Sequence, residues 1–331
     1  MILFGRIDPL FQRSASCAAF LLAVTMMTTV HAAYPDRPIR LIVPFAPGGN
    51  IDITARTVAP GLTEQLGQPV VVENRGGAGS RLGNEFVARS APDGYTMLLG
   101  STGTMSINKV FVSKPTYDPI RDFVPTSMVS ITPMVLVTHP SLPVKSMQEF
   151  IALAKAKPGS ILMASAGTGS NTHLTGELFQ AITGVKLTHV PYKGAGPALV
   201  DLMGGQTHCI FDQVSTSAPV VNSGKLRALA VAANTRSSLL SAVPTMAESG
   251  VRDFEASANA GIFLPSATPK DIVNRVYTAL IKVLDQPSTR EAFARLGAEV
   301  VKTTPEEVTR QLNSDLAKWQ KVQVRTGIRL D

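Results

Sequence analysis

The chain repeats one local pattern, in which a short apolar run ends in a turn rich in glycine or hydroxyl residues and a helical segment follows. In the first copy, branched apolar residues at 39–43 predict a buried strand. Gly48 and Gly49 form the turn, and Asn50 is expected to cap a helix over residues 51–66. This alternation predicts a parallel α/β architecture, because a helical crossover returns the chain to the start of the next parallel strand.

Further strands are predicted at residues 69–73, 95–99, 134–138, 161–164, 186–190, 209–211, 226–232 and 256–264. The runs at 134–138 and 256–264 are expected to be extended segments in which the chain crosses between two lobes. The predicted first lobe then comprises residues 34–135 and 256–331, and the predicted second lobe comprises residues 136–255.

The first 32 residues have the form of a Sec-type signal peptide. Arg6 and Arg13 make a basic region, residues 17–30 are apolar, and cleavage is predicted near Ala32. The apolar run is too short, and too rich in threonine at its end, to predict a membrane span. No later segment of the sequence is long and apolar enough to cross a bilayer. These features predict export to the periplasm.

The 331 residues suffice for two α/β domains, and 44% hydrophobic with 17% charged residues argues against disorder. The formal net charge of +7 favours anionic ligands. Lys and Arg are nevertheless scattered rather than clustered with aromatic residues, so no nucleic-acid partner is expected. Cys209 is the only cysteine outside the predicted signal peptide, and we expect it to be a buried thiol.

The turns that end the predicted strands are candidate ligand-binding loops, because open α/β sheets bind ligands at the carboxyl ends of their strands. These turns offer main-chain N–H groups and hydroxyls with few charged side chains. Such a cleft suits an anion held by hydrogen bonds rather than a metal ion or a phosphate that needs a strong counter-charge. If the two lobes face each other, four turns converge: residues 45–50, 101–104, 165–171 and 192–196.

Four polar side chains near these turns have two interpretations each. Asp52 lies in a first helical turn, where it either satisfies the helix dipole or contacts the ligand. Tyr192 and Lys193 either contact the ligand or pack over their own loop. Asp212 ends a predicted strand, either as a cap or as an acceptor in the cleft.

Signals for catalysis are weak. The chain lacks the G-x-S-x-G turn of α/β-hydrolases and the phosphate loop G-x-x-x-x-G-K-[ST], and its histidines are not spaced as metal ligands. No cofactor and no metal are expected. One alternative is a secreted α/β enzyme that acts on a carboxylate through Ser165, His173 or Asp212. Another is a ligand-sensing partner of a membrane signalling protein, which would use the same cleft.

Several segments stand in a recognisable order between Tyr34 and Asp331: YPDRPIRLIVPFAPGGNID, VVVENRGGAGS, SAPDGYTMLLGSTGT, ILMASAGTGSNTHLTGELF, THVPYKGAGPALVDLMGGQ, GKLRALAV, VPTMAESG and FLPSATP. In this order they resemble the periplasmic solute-binding proteins of tripartite tricarboxylate transporters, also called the Bug family. The resemblance implies a two-lobed Venus-flytrap fold, type II-like, with two chain crossings and no catalysis. It also implies a small organic carboxylate as ligand and the large and small subunits of a membrane transporter as partners. We expect a monomer.

The resemblance also implies which residues form the ligand site. The first-loop signature of the family maps onto the Pro-Gly-Gly of residues 47–49 and onto Asp52, and its second-lobe site segments map onto residues 165–171 and 192–194. In the family, a ligand carboxylate is held largely by loop main chain and ordered water. The predicted ligand-binding set is Phe45, Pro47, Gly48, Gly49, Asp52, Ser101, Thr102, Thr104, Ser165, Ala166, Gly167, Thr168, Asn171, Tyr192, Lys193, Gly194 and Asp212.

The chain departs from the family pattern at two positions. Many relatives carry Trp two residues before Gly261, where this chain has Asn259, and we expect the change to alter the cleft or the hinge. Relatives usually have Asp where this chain has His208, and we expect that position to lie at a strand edge with little consequence.

Overall fold

The computed structural model describes Met1, residues 34–326 and Arg329, the side chains of residues 325 and 326 excepted. Apart from Met1, the predicted signal peptide therefore lies outside the described residues. All described strands and helices lie in one compact unit, which begins at Arg37.

The first lobe is built on strands that alternate with helices. In chain order its elements are β1 (Ile39–Val43), α1 (Asn50–Leu66), β2 (Val70–Asn74), a 3-10 turn (Ala78–Ser80), α2 (Arg81–Ala88), β3 (Thr96–Gly100), α3 (Thr102–Phe111) and β4 (Phe123–Thr138). β1 pairs in parallel with both β2 and β3. Four of the five residues of β1 are fully buried, as expected for a parallel strand covered on both faces.

The second lobe repeats the same alternation. Its elements are α4 (Met147–Ala156), β5 (Leu162–Ser165), α5 (Asn171–Thr183), β6 (Thr188–Pro191), α6 (Ala195–Met203), β7 (Cys209–Gln213), α7 (Val214–Asn222), β8 (Arg227–Val231) and a 3-10 turn (Ser238–Leu240). β5 pairs in parallel with β6 and β7. Both lobes therefore present the carboxyl ends of parallel strands, followed by helix N-termini, where ligands bind in α/β folds.

The chain then returns to the first lobe through β9 (Ser257–Pro265), α8 (Lys270–Asp285), α9 (Pro287–Arg295), β10 (Glu299–Val300) and α10 (Pro305–Thr326). β9 lies between β3 and β4 and runs antiparallel to both. Trp319 packs edge-on against Phe111, with 6.0 Å between ring centroids, and this contact packs α10 against α3.

Two crossings join the lobes. In β4, residues 123–133 pair with β9, whereas residues 134–138 pair with β7 and β8. The second crossing is at Ala256, whose N–H donates to Ala232 O and whose carbonyl accepts from Met134 N just before β9 begins. The two crossings lie at the starts of the extended runs 134–138 and 256–264. The exact lobe boundaries, 34–135 with 256–331 against 136–255, stay a prediction.

The alternation of β4 shows how the second lobe buries both faces of its sheet. Met134 and Leu136 belong to a cluster with Phe179 and Phe211, whereas Val135 belongs to the cluster on the opposite face. Successive residues of a strand point to opposite faces, so one strand contributes to both cores.

Two predictions about local structure are wrong. β4 is 16 residues long, but only its last part was predicted, because Thr126, Ser127 and Ser130 interrupt the apolar pattern. Thr126 satisfies its hydroxyl by donating to Ile262 O within the sheet. Gly49, not Asn50, is the cap of α1, and Asn50 is its first helical residue. The other predicted strands match within about two residues.

No helix among the described residues combines the length and the apolar character that a membrane crossing requires.

Candidate functional site

Five helices begin at one small cavity in the closed cleft between the lobes. Its lining comprises Gly49, Asn50 and Ile51 of α1, Ser101 and Thr104 of α3, Ser170, Asn171 and Thr172 of α5, Ala195 of α6 and Gln213 of α7, together with Phe45, Ala166 and Ala258. Each helix contributes only its cap or its first turn. Helix N-termini carry unsatisfied N–H groups and a partial positive charge, so their convergence favours an anion.

Three of the five helices leave their first N–H groups without a capping side chain. Ser101 accepts from Thr104 N at 3.5 Å and Ser170 accepts from His173 N at 3.3 Å, so α3 and α5 are capped internally. The cap residues of α1, α6 and α7, which are Gly49, Gly194 and Gln213, make no such bond. The donors that remain for a ligand therefore come from both lobes.

Asn50 adds a side-chain donor to this cavity. Its Oδ1 accepts hydrogen bonds from Ser215 at 2.7 Å and from Thr132 at 3.3 Å, whereas its Nδ2 is buried without a partner. A buried donor without an acceptor costs about 1–3 kcal/mol, which a ligand oxygen would recover. The sequence predicted that Asn50 caps the helix. No local pattern distinguishes a helix cap from a side chain that donates to a ligand.

Asp52 organises the first loop rather than lining the cavity. Its carboxylate accepts from Gly48 N at 3.0 Å and Asn74 Nδ2 at 2.9 Å and forms an ion pair with Arg56 at 3.0 Å. Burial by itself would raise the pKa of Asp52, but the hydrogen bonds from Arg56, Gly48 and Asn74 outweigh it and lower the pKa. The ionised carboxylate thus holds the Pro-Gly-Gly turn in place.

The structure divides the predicted ligand-binding residues into three groups. Phe45, Gly49, Ser101, Thr104, Ala166 and Asn171 line the cavity. Pro47, Gly48, Gly167, Thr168, Lys193 and Gly194 lie where the loops of the two lobes meet. Asp52, Thr102, Ser165, Tyr192 and Asp212 take part in hydrogen bonds behind the loops. Ligand contact by each of them stays a prediction.

The predicted ligand-binding set leaves out seven residues of the lining: Asn50, Ile51, Ser170, Thr172, Ala195, Gln213 and Ala258. Asn50, Ser170 and Ala195 lie within the turns that were predicted to converge, and Ile51 and Thr172 directly follow such turns. Gln213 and Ala258 are different, because only the pairing of β7 and β9 with β4 brings them to the cleft.

Tyr192 and Lys193 differ in their surroundings. Tyr192 donates from its hydroxyl to Asp201 at 2.8 Å, and burial together with that bond raises its pKa to about 12. The Lys193 side chain is exposed, and its carbonyl accepts from Ala46 N at 3.0 Å across the two lobes.

The candidate catalytic groups belong to separate hydrogen-bond networks. Ser165 contacts His189 Nε2 at 2.6 Å, and the His189 ring stacks on His173 at 3.7 Å. Burial, and then the charge of His173, lower the pKa of His189 to about 4. Asp212 instead accepts from Thr216 and Ser217, and its burial raises its pKa. No described hydrogen bond joins Ser165, His173 and Asp212 to one another.

Asn259 anchors the start of α3. Its Oδ1 accepts from Ser101 Oγ at 2.9 Å and from Thr102 N at 3.1 Å, and its Nδ2 donates to Thr102 Oγ1 at 2.6 Å. Thr102 in turn donates to Asp315 of α10 at 2.6 Å. Asn171 of the second lobe donates to Ser101 at 3.3 Å, so Asn259 is two bonds away from that lobe.

His208 directly precedes β7, which lies between β4 and β5 in the sheet. Its Nδ1 accepts from Leu162 N at 2.8 Å, at the start of β5.

A much larger groove, of about 1330 Å³, lies on the opposite face of β9. Ser257 and Asn259 face this groove, whereas Ala258 faces the cavity. The groove contains charged groups of both signs, including Glu255, Arg310 and Lys318, and Asn171 is the only first-turn residue of α5 in its lining. We therefore place the candidate anion site in the small cavity.

Among the residues that the structure describes, no cluster of three or more His, Cys, Asp or Glu could hold a metal ion.

Comparison with known proteins gives a consistent picture. The family described as "Tripartite tricarboxylate transporter family receptor" matches residues 54–328. The chain is 41% identical over 298 residues to the protein BugT of Bordetella pertussis, an alignment that covers 90% of this chain and 91% of the relative.

Two solved structures share the fold. The periplasmic binding protein BugD matches with a TM-score of 0.86 and 35% identity, covering 89% of this chain and 99% of that one. The protein MatC of Rhodopseudomonas palustris, solved with bound malate, matches with a TM-score of 0.84 and 33% identity, covering 87% and 99%. Two-lobed periplasmic binding proteins are thus the structural class of this chain.

Proposed function

Because the chain belongs to the tripartite tricarboxylate transporter receptor family, we propose that it is a periplasmic solute-binding protein that captures a small organic carboxylate between its lobes. The captured acid is then delivered to the membrane subunits of a tripartite tricarboxylate-type transporter. Entry into the periplasm is through the predicted signal peptide, residues 1–32.

The convergence of five helix N-termini on one cavity carries this proposal. Among the residues that the structure describes, the lining includes no Lys, Arg, Asp or Glu, so recognition relies on N–H groups, hydroxyls and amides. Helix N-termini stabilise a carboxylate without a formal counter-charge, because their dipoles and free N–H groups are already oriented. The donors come from both lobes, so a bound acid favours the closed arrangement over the open one.

We assign the ligand carboxylate to the uncapped starts of α1, α6 and α7 and to Asn50 Nδ2. MatC holds malate, a four-carbon dicarboxylate, and this chain covers almost all of that structure. Small di- and tricarboxylates are therefore the first ligands to test here.

The proposed role is binding without catalysis. The family is one of solute-binding receptors, which are not enzymes. A serine nucleophile needs a base in hydrogen-bond reach that a third group orients. Ser165 contacts His189, but that histidine stacks on His173, and Asp212 is held by Thr216 and Ser217.

Calorimetry and thermal-shift measurements on the purified protein test the proposal. Malate, succinate and citrate are compared with malamide, the uncharged diamide of malate. At a ligand concentration of about 100 times Kd, binding to the folded state adds about 2.7 kcal/mol of stability, so the unfolding midpoint rises. Binding of at least one acid, with none for malamide, is expected. Failure of every acid to bind would overturn the proposal.

A further inference from the structure

Glycines line the contact between the loops of the two lobes. We call Gly76, Gly79, Gly194 and Gly196 the glycine seam. A Cβ added to Gly196 of the second lobe would overlap Pro47 O of the first lobe, and a Cβ added to Gly79 of the first lobe would overlap Thr168 O of the second. Both obstacles are backbone atoms, which cannot swing aside as the end of a side chain can.

The two remaining seam glycines show the same close approach. A Cβ on Gly76 would lie 2.8 Å from Lys193 O, and one on Gly194 would lie 2.9 Å from Ala46 N. Between them, Ala46 N donates to Lys193 O at 3.0 Å. The absence of side chains thus lets the main chains of the two lobes meet directly.

The seam borders the cavity. Gly194 caps α6 and Gly196 lies in its first turn, next to Ala195 in the lining, and Pro47 is two residues from Gly49 at the start of α1. The distance between these loops therefore controls how closely the uncapped starts of α1 and α6 approach each other across a ligand.

The cavity volume in this closed form is about 30 Å³. A cavity needs roughly 10–15 Å³ measured in this way to hold even one water molecule, so this volume is too small for a dicarboxylate, and the lobes must part slightly to admit one. The limit of closure then decides which ligand length lets both lobes keep their hydrogen bonds.

We propose that the glycine seam, and Gly196 above all, sets the length of the acid that the protein binds best. This rests on the proposed function, because it concerns selection at the same site. Gly196 is a positioning residue, since it acts through the spacing of the two loops. A Cβ at this position moves the closure limit outwards, so a short acid loses donors from one lobe while a longer acid retains them.

Gly196→Ala is the informative variant, with Gly204→Ala as its matched control. Both glycines belong to the same helix, one in its first turn and one at its C-cap, and neither has a left-handed φ. A Cβ on Gly204 would lie 3.5 Å from Asp201 O, an ordinary contact. Alanine also favours the helix over glycine, so neither variant is expected to unfold the second lobe. Gly194→Ala is a second seam variant.

The first readout is affinity for succinate, glutarate and adipate by calorimetry. In Gly196→Ala, the ratio of adipate affinity to succinate affinity is expected to rise about tenfold over the parent protein, because closure no longer reaches the same limit. Gly204→Ala is expected to keep the parent ratio. An unchanged ratio in both Gly196→Ala and Gly194→Ala would overturn the proposal.

The second readout is the distance between the lobes. A variant that is only locally less stable would not show a longer distance, so this readout separates the two effects. Leu82 and Val200 are 54% and 62% exposed and lie on helices of opposite lobes, so cysteines there accept spin labels, whereas the native Cys209 is fully buried. Gly196→Ala is expected to lengthen the measured distance and Gly204→Ala to leave it unchanged. If the parent protein binds no acid, the proposed function fails, and the distance alone decides whether the seam limits closure.

Discussion

Ser215 of the second lobe donates a 2.7 Å hydrogen bond to Asn50 Oδ1 of the first lobe. The bond joins the first turns of α1 and α7, and it orients the amide of Asn50 so that Nδ2 remains buried without a partner. One side chain thus serves both the contact between the lobes and the candidate anion site.

Replacing Asn50 with Asp tests this double role. Among the described residues of the cavity lining, Asn50 alone has a buried side-chain donor without a partner, and the substitution replaces that amide with a carboxylate. Like charges at a buried contact cost several kcal/mol, so affinity for malate is expected to fall by about 100-fold or more. Calorimetry measures the change. Asn313→Asp, the same chemical change on exposed α10, is the control, and an equal loss there would contradict the assignment.

Replacing Asp52 with Asn tests the support of the first loop. Asp52 is 3% exposed and bonds Gly48 N, Asn74 and Arg56, so its loss is expected to lower the free energy of unfolding by about 1–2 kcal/mol. Urea unfolding at neutral pH measures it. Asp93→Asn breaks an exposed pair with Arg37 and is expected to cost less than about 0.5 kcal/mol. Equal costs for the two variants would refute the role of Asp52.

Removing the Thr102 hydroxyl tests the anchor of α3. Thr102→Val keeps the shape of the side chain but removes the hydrogen bonds that the Thr102 hydroxyl makes to Asp315 Oδ2 and Asn259 Nδ2. The free energy of unfolding is expected to fall by about 2 kcal/mol, because buried polar groups lose their hydrogen bonds. Thr309→Val, which removes a bond to Pro305 O at the start of α10, is the comparison and is expected to cost less. A Thr102→Val protein as stable as the parent would rule out the anchor.

Stability is expected to fall in acid because of His189. The unfolded histidine titrates near its ordinary pKa of 6.5, whereas burial and the neighbouring His173 hold the folded pKa at about 4. Between these values the unfolded state binds the extra proton, so the contribution of His189 is complete above pH 6.5 and is lost as the pH falls towards 4. Urea titrations at half-unit pH steps measure the slope. In His189→Gln this part of the slope disappears, and an unchanged slope would show that His189 does not contribute.

Local patterns sufficed for most of the strands and helices. The strand at Ile39–Val43 agrees with the prediction, and the two crossings fall where extended runs were expected. The failures occur where pairing with a distant part of the chain overrides the local pattern. Thr126, Ser127 and Ser130 lie inside β4, because β9 and β10 complete that sheet from more than 100 residues away.

For the site, the sequence by itself determined the class: turns with few charged side chains, each followed by a helix, in an order that resembles one receptor family. Only the tertiary structure decided which atoms meet. It turned Asp52 towards Arg56 and Asn74, brought Asn50 into the cavity, and set Gly196 against Pro47. Turn and helix propensities act over a few neighbouring residues, so turns and helices can be predicted from the local sequence. Contacts across a cleft depend instead on how two separately packed lobes are oriented, which no local pattern encodes.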